Sequence, residues 1–224
     1  RKSLTRWTVS LKGSVPRLNR ESLVGFYRSY YHPNISVVAV VGDITPEEVK
    51  TKLLTRLEQW PLANLAEPSF PKEYSLEQKT ITIHRDISQA NIILGHVGVK
   101  RANPDYYALS VMNYILGGGG FSSRLMEGIR SKRGLAYAVT SFFDPGTLPG
   151  SFQVILQTKN STAREAISLV IEQMRHIQAE QVTEKELEAA QKYLIGSFPM
   201  RLNTQGKIAN FLTLVEYYGL GPDY

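Results

Sequence analysis

Four consecutive glycines, Gly117, Gly118, Gly119 and Gly120, are the first feature of the sequence that could do chemistry. A glycine-rich loop can cradle a phosphate, but a Walker loop also needs a lysine followed by serine or threonine. Here the residues FSSR follow, so that lysine is missing. The dinucleotide fingerprint follows a strand, whereas the residues before this run predict a helix. The run could still hold a phosphate at the next helix start, or simply turn the chain between two helices.

Residues that bind metals or act as nucleophiles are sparse. The sequence has no cysteine, which excludes disulfides, thiolate metal sites and cysteine nucleophiles. No two histidines lie three or four residues apart, so a helical pair of metal ligands is absent. We interpret them as a helix-capping residue, two residues at strand edges and one on a helix surface: His32, His84, His96 and His176. Since the serines lack the Gly-x-Ser-x-Gly pattern, the residues alone give no self-sufficient catalytic site.

The composition narrows the class of protein. Hydrophobic residues make up 42% of the 224 residues and charged residues 21%, which is ordinary for a globular protein. No apolar run approaches the ~20 residues that cross a bilayer, and no signal peptide is visible. The net charge is +6, but the basic residues are scattered singly, so we expect no nucleic-acid binding. Because the sequence begins with Arg1, we expect it to be a piece of a longer polypeptide.

The first part of the sequence predicts a helix, a strand and a second helix. Asn19 is placed to cap the first helix, which the sequence His-Pro-Asn ends. The β-branched run ISVVAVV at 35–41 predicts a strand that is buried on both faces. The sequence TPEE, beginning at Thr45, predicts a capping box. A polar, proline-containing stretch then predicts a linker at 63–79, which separates a domain at 1–62 from one at 80–224.

The second part predicts four strands and four helices. The strands are expected at 80–84, 90–97, 135–143 and 151–158. One helix is expected at 103–116. A second is expected to run from Ser122 or Ser123 to about Lys132, and Gly134 ends it. Two more are expected after capping boxes at Thr162 and Thr183. This order predicts an α+β fold, a two-layer sandwich in which helices cover one face of a largely antiparallel sheet.

Three stretches carry a resemblance to a known family: RESLVGFYRSYYHPNISVVAVVGDITPEEV, NPDYYALSVMNYILGGGGFSSRLMEGIRSKRGLAYAV and VTEKELEAAQKYLIGSFPMRL. In order and spacing they resemble the pitrilysin-like zinc metallopeptidases (inverzincins, peptidase family M16), in their bacterial and mitochondrial-processing-peptidase-like branch. The resemblance implies two related domains that close around a peptide. The first binds zinc through His-x-x-Glu-His and a later glutamate. This sequence lacks that motif, so 1–62 are expected to be the tail of the zinc-bearing domain and 80–224 most of the second, inactive domain.

The resemblance also implies functional residues in the second domain. The family has an arginine and a tyrosine seven residues apart, and IRSKRGLAY places Arg130 and Tyr137 at that spacing. The fork of arginine donors suits peptide carbonyls, and a phenol hydroxyl can donate to the oxyanion. On the residues alone, a helix-end arginine and a half-buried strand tyrosine are the plainer interpretation. Gly117–Gly120 resemble the family's glycine-rich segment, and we interpret them as a tight, mobile corner beside the cleft, with peptide contact as a hypothesis.

The function implied by the resemblance is that of the non-zinc half of a metallopeptidase. It would bind peptide or unfolded polypeptide and assist proteolysis at a zinc site outside this chain, either upstream or on the partner subunit of a homo- or heterodimer. Alone, the chain is expected to bind no catalytic zinc and to cleave nothing. The alternative is a non-catalytic structural or interaction subunit, like the core proteins of the respiratory cytochrome bc complex. Relatives favour the bacterial periplasm as the compartment.

Overall fold

A computed structural model of the chain describes residues 11–64 and 77–224. The chain divides into two compact units, Arg1–Phe70 and Pro71–Tyr224. The division falls within the predicted linker at 63–79, although residues 65–76 of that linker lie outside the described residues. The assignment of the two units to a first and a second domain stays a prediction.

The described part of the first unit is helical. Its helices are α1 (Leu11–Ser14, continued by the 3-10 turn Val15–Arg17), α2 (Arg20–Tyr30) and α3 (Pro46–Leu57). The side chain of Asn19 accepts a hydrogen bond from the Ser22 amide at 2.9 Å and caps α2. At α3, the Glu48 amide donates to Thr45 Oγ1 at 3.2 Å and the Thr45 amide donates to Glu48 Oε2 at 2.9 Å. Both predicted helix starts are therefore confirmed.

Hydrogen bonds join the chain segments that follow α2 and α3. The His32 ring is buried, and its Nδ1 donates to the Pro61 carbonyl at 3.0 Å. The indole of Trp60 donates to the Tyr31 carbonyl at 3.1 Å. His32 stands at the N-cap position of the 3-10 turn Pro33–Ile35, but the interpretation of its side chain as a cap is wrong, because the ring bonds to a distant carbonyl and makes no cap hydrogen bond.

Two predicted strands do not form in the described residues. In place of the strand at 35–41, Pro33–Ile35 is a 3-10 turn and residues 36–41 have no regular structure, with Val38 59% exposed. Residues 80–84 are likewise unassigned, and Ile81 and Ile83 are exposed. A strand exists only when a neighbour accepts and donates its backbone hydrogen bonds. Within the described residues, neither segment has such a neighbour, so the β-branched pattern alone does not make a strand.

The second unit contains a three-stranded antiparallel sheet. Its strands are β1 (Gln89–Val97), β2 (Ala136–Asp144) and β3 (Ser151–Lys159), in the order β1-β3-β2. The central strand β3 pairs Ile155 with Ile93 of β1 and Leu156 with Val139 of β2. The strands predicted at 90–97, 135–143 and 151–158 are confirmed.

Along the chain, the helical segments of this unit lie between β1 and β2 and after β3. They are α4 (Tyr106–Asn113, continued by the π-helical turn Tyr114–Gly118), a π-helical segment Met126–Ser131, α5 (Ala163–Ala179), α6 (Glu184–Ser197) and α7 (Gln205–Tyr218). The capping box predicted at Thr183 is formed with Glu186. The one predicted at Thr162 is wrong, since its hydroxyl bonds to the Lys159 carbonyl and α5 starts without a side-chain cap.

The core lies between one face of the sheet and the helices. Alternate β3 residues Phe152, Val154 and Leu156 are buried, and α5 packs against that face. Each fully buried side chain of this size contributes about 1.5–3 kcal/mol. On the opposite face Ile93 is 66% exposed. The predicted α+β fold, with helices on one face of an antiparallel sheet, is therefore confirmed. In the parts of the chain that are described, no helix has the length and apolarity needed to cross a membrane.

Candidate functional site

The glycine run forms a corner that packs against the edge of the sheet. It begins within the π-helical turn Tyr114–Gly118 and ends in the 3-10 turn Gly120–Ser122. Gly117 is buried, and a Cβ atom on it would lie 2.5 Å from Ser141 Oγ and 2.8 Å from Leu125 Cδ1. These separations exclude any side chain unless β2 or the core moves. Close packing therefore accounts for the start of the run.

The corner reverses direction at Gly120, whose φ of 58° is rarely adopted by other residues. The Ser123 amide and hydroxyl both donate to the Gly120 carbonyl, at 3.1 and 2.7 Å. The hydroxyl of Ser122 bonds to the Gly119 carbonyl at 2.9 Å. The helix begins directly after Ser123, as predicted, and the Ser123 carbonyl accepts a hydrogen bond from the Glu127 amide at 2.9 Å; neither serine hydroxyl caps it, because both turn back to the glycines. These bonds fix the backbone on either side of Phe121.

A partly buried ion pair anchors the helical segment that follows the corner. Arg124 Nε and Nη2 donate to the two carboxylate oxygens of Glu186 at 2.6 and 2.8 Å. The Thr183 amide also donates to Glu186, at 2.8 Å. The Arg124 guanidinium first, and then Thr183, lower the pKa of Glu186 from 4.5 to about 2 against the opposing effect of burial. The pair ties the start of this segment to α6. It was not predicted, because its members are 62 residues apart in sequence.

The end of the same segment sets the direction of β2. Gly134 has φ 63° and, as predicted, ends the helix; its amide donates to the Arg130 carbonyl at 2.8 Å. The Leu135 amide donates to the Ile129 carbonyl at 2.9 Å, and β2 begins at the next residue. The tight connection brings the last helical turn, which carries Arg130, next to the start of the strand.

The first residues of β2 contain a β-bulge. Ala136 pairs with Thr158 but Val139 pairs with Leu156, so β2 has one residue more than β3 over this interval. Ala136 and Val139 are both buried, and Tyr137 between them is 80% exposed. A β-bulge changes the direction in which a side chain projects from the strand, compared with the regular alternation between the two faces of a sheet. Here it keeps two core contacts while Tyr137 remains at the surface.

Arg130 and Tyr137 meet at this point together with a third residue. The guanidinium carbon of Arg130 lies 4.9 Å from the centre of the Tyr137 ring and 4.6 Å from that of Phe121. The Phe121 ring is 71% exposed. The structure therefore places the two predicted residues side by side at the glycine corner. Sequence reasoning missed Phe121, although an aromatic residue directly after a glycine run was the available signal.

The polar groups of Arg130 and Tyr137 are the part of this cluster that could bind a ligand. Within residues 11–64 and 77–224, no group forms an ion pair or hydrogen bond with the Arg130 guanidinium or a hydrogen bond with the Tyr137 hydroxyl. The guanidinium offers five N–H donors in a plane, and the phenol adds one O–H donor. Such donors suit carbonyl or carboxylate oxygens. The described residues include no group of three or more histidine, aspartate and glutamate side chains that could hold a metal ion.

The family follows from a comparison with known protein families. Residues 17–194 match the model of the peptidase M16 inactive domain. The chain belongs to this family. The resemblance to pitrilysin-like zinc peptidases is therefore confirmed, and the chain is of the inactive-domain type.

Relatives of this M16 chain carry contrasting names. It is 30% identical over 220 residues to the Non-peptidase homolog YmxG of Helicobacter pylori, across 97% of the chain and 50% of that relative. It is 28% identical over 214 residues to an uncharacterized zinc protease of Streptomyces coelicolor, across 93% of the chain and 46% of that relative. The chain thus spans about half the length of these relatives.

Solved structures share the fold of this M16 chain. The crystal structure of a peptidase M16 inactive domain from Pseudomonas fluorescens matches this chain with a TM-score of 0.78 at 29% identity. The match covers 94% of this chain and 50% of the Pseudomonas chain. A protease from Helicobacter pylori has a TM-score of 0.73 at 22% identity, and covers 92% of this chain and 51% of its own. The fold class derived from the sheet and helices agrees with both.

Proposed function

We propose that this chain is the substrate-binding, non-zinc half of an M16 zinc peptidase and that Arg130 and Tyr137 contact the peptide. One observation carries the proposal: six hydrogen-bond donors of two adjacent side chains, the half-buried Arg130 and the exposed Tyr137, have no hydrogen-bond partners in the described residues. A purely structural arginine at a helix end would pair with a carboxylate or a carbonyl. A purely structural strand tyrosine would bury its ring, whereas Tyr137 is 80% exposed.

The two residues have distinct roles in this proposal. Arg130 donates to backbone carbonyl oxygens of the bound peptide and holds it in register. Tyr137 donates its hydroxyl proton to the oxygen of the scissile carbonyl as negative charge develops there. In this proposal, another segment of the polypeptide or a partner subunit holds the catalytic zinc, since the described residues include no group that could hold it.

The glycine corner borders the proposed site. Phe121, which follows Gly120 directly, contacts the Arg130 guanidinium, so a peptide on Arg130 lies close to Gly117–Gly120. Direct contact between the glycines and the peptide belongs to the proposal, whereas the close packing of Gly117 and the hydrogen bonds of Ser122 and Ser123 favour a constrained corner over the mobile one that the sequence predicts. The periplasmic location also stays a prediction.

A second candidate function is that of a non-catalytic interaction subunit. This function is favoured by the name of the Helicobacter pylori relative, which is a non-peptidase homolog. The match covers 97% of this chain. The two functions differ in what they require of Arg130. A substrate-binding half needs its guanidinium for peptide, whereas a structural subunit does not.

The test measures, by fluorescence anisotropy, how tightly a fluorescein-labelled, unfolded casein binds to the chain. Because hydrogen bonds to a charged group contribute about 1.5–3 kcal/mol, we expect Arg130→Ala to weaken binding by about 10- to 100-fold. The matched control is Arg133→Ala, three residues along, where an exposed ion pair with Glu165 at 3.5 Å is lost and binding should hardly change. Equal affinities for the wild type and Arg130→Ala would favour the interaction-subunit function.

A further inference from the structure

We propose that Phe121 is a specificity-determining residue of this site: its ring holds the Arg130 guanidinium and presents its free surface to a large apolar side chain of the bound peptide. This inference rests on the proposed function and adds to it the class of peptide that is preferred. Neither the family match nor the relatives assign a role to this residue.

The first argument is the position of the guanidinium between two rings. Its central carbon lies 4.6 Å from the centre of the Phe121 ring and 4.9 Å from that of the Tyr137 ring. Both distances lie within the ~6 Å over which a cation is attracted to an aromatic face. Attraction to an aromatic face does not use the N–H donors of a guanidinium for hydrogen bonds to oxygen, so they stay available. The rings therefore position Arg130 without using the groups that would bind carbonyl oxygens.

The second argument is the exposure of the ring. Phe121 is 71% exposed even though it contacts Arg130, so most of its apolar surface is open to solvent. A peptide whose backbone bonds to Arg130 brings its neighbouring side chains to this surface. Burial of apolar area on both partners favours a large apolar side chain there. The adjacent positive charge of Arg130 disfavours lysine or arginine at the same place.

The third argument is the way the corner holds the ring. Phe121 is not fixed by burial; the backbone on either side of it is fixed instead. Gly117 packs against Ser141 of β2, and Ser122 and Ser123 bond to carbonyls of the glycines. A surface ring on a constrained backbone loses little freedom when a ligand covers it. The glycine run thus has a second consequence, since it places an aromatic side chain next to the arginine.

The experiment compares two labelled peptides that differ at one position. Each is a short serine-glycine peptide, with either phenylalanine or glycine at the centre, and its dissociation constant is measured by fluorescence anisotropy. We expect the wild type to bind the phenylalanine peptide about tenfold more tightly, because partial burial of both rings contributes on that scale. Phe121→Ala should remove the preference, and Phe121→Leu should keep part of it. Arg130→Ala should weaken binding of both peptides.

The control removes an exposed apolar side chain elsewhere in the same unit. Ile93 is 66% exposed on β1, which β3 separates from β2, so Ile93→Ala should leave the preference unchanged. If both peptides bind through Arg130 with equal affinity, or if Phe121→Ala keeps the preference, the role of Phe121 is wrong and the proposed function stands. If the wild type binds neither peptide, or binds both without need of Arg130, the proposed function fails and the role of Phe121 with it.

Discussion

In the proposed site, Arg130 and Tyr137 would bind through polar groups that have no hydrogen-bond partner among the described residues. Arg130 and Tyr137 were predicted only through the family resemblance, because a spacing of seven residues does not by itself bring two side chains together. Their contact depends on a helix end at Gly134 and on a bulge at the start of β2. Phe121 was not predicted at all, since its contact with Arg130 depends on how the glycine corner folds back. The sequence therefore allowed us to predict which types of residue form the site, but not which of these residues contact one another.

Substitution of Tyr137 tests its hydroxyl in the peptidase reconstituted with its zinc-bearing half. Tyr137→Phe keeps the ring against Arg130 and removes one donor. Loss of one oxyanion donor costs about 2.7–4 kcal/mol, so turnover should fall ~10²–10³-fold with little change in the Michaelis constant or the melting temperature. Tyr107→Phe, at another exposed tyrosine, is the control and should be neutral. Retention of more than about a third of the turnover by Tyr137→Phe would rule out the oxyanion role.

Secondary-structure elements were predictable where their signals are local. Both confirmed capping boxes, at Thr45 and Thr183, join residues three apart, so a short stretch of sequence contains the whole interaction. Thr162 shows the limit, because its hydroxyl found a partner in the turn before α5 instead of an amide of that helix. The link between Arg124 and Glu186 lay beyond sequence reasoning, since it forms only when two helical segments pack. Yet this link positions the segment that carries Arg130.

The Arg124–Glu186 pair predicts a specific pH dependence of stability. The folded-state pKa of Glu186 is depressed from 4.5 to about 2, so its stabilising contribution is complete above pH 4.5 and is lost as the pH falls toward 2. Glu186→Gln should lower the free energy of unfolding by about 1–3 kcal/mol at pH 7, and by clearly less near pH 2. Urea denaturation of both proteins across this range measures the difference.

A matched substitution on the same helix controls for the loss of charge alone. Glu188 makes an exposed ion pair with Lys192 one turn along α6, so Glu188→Gln should change the stability by at most ~0.5 kcal/mol at any pH. A difference between the wild type and Glu186→Gln that stays constant from pH 7 to pH 2 would show that the carboxylate charge does not stabilise this contact.

At the scale of the whole molecule, the two units differ in how completely they bury their apolar residues. The second unit has a continuous core between its sheet and helices. In the described part of the first unit, the aromatic residues of α2 and three valines, Val37, Val38 and Val40, are about half exposed, and His32 is the one buried side chain. The wrong strand predictions at 35–41 and 80–84 have the same origin. Their sequences fit a sheet, but the described residues include no strand to pair with them.

This exposed apolar surface predicts that the chain, purified by itself, binds a hydrophobic dye and self-associates. Ile81 and Ile83 are 71% and 70% exposed and lie together in an unpaired β-branched segment, which is the kind of surface that other apolar groups cover. Replacement of both by serine should therefore reduce dye fluorescence and shift sedimentation toward the monomer. Ile195 is 74% exposed on α6, and Ile195→Ser should have a smaller effect because it removes one side chain from a helix. A wild-type chain that sediments as a monomer and binds no dye would show that these segments are covered in solution.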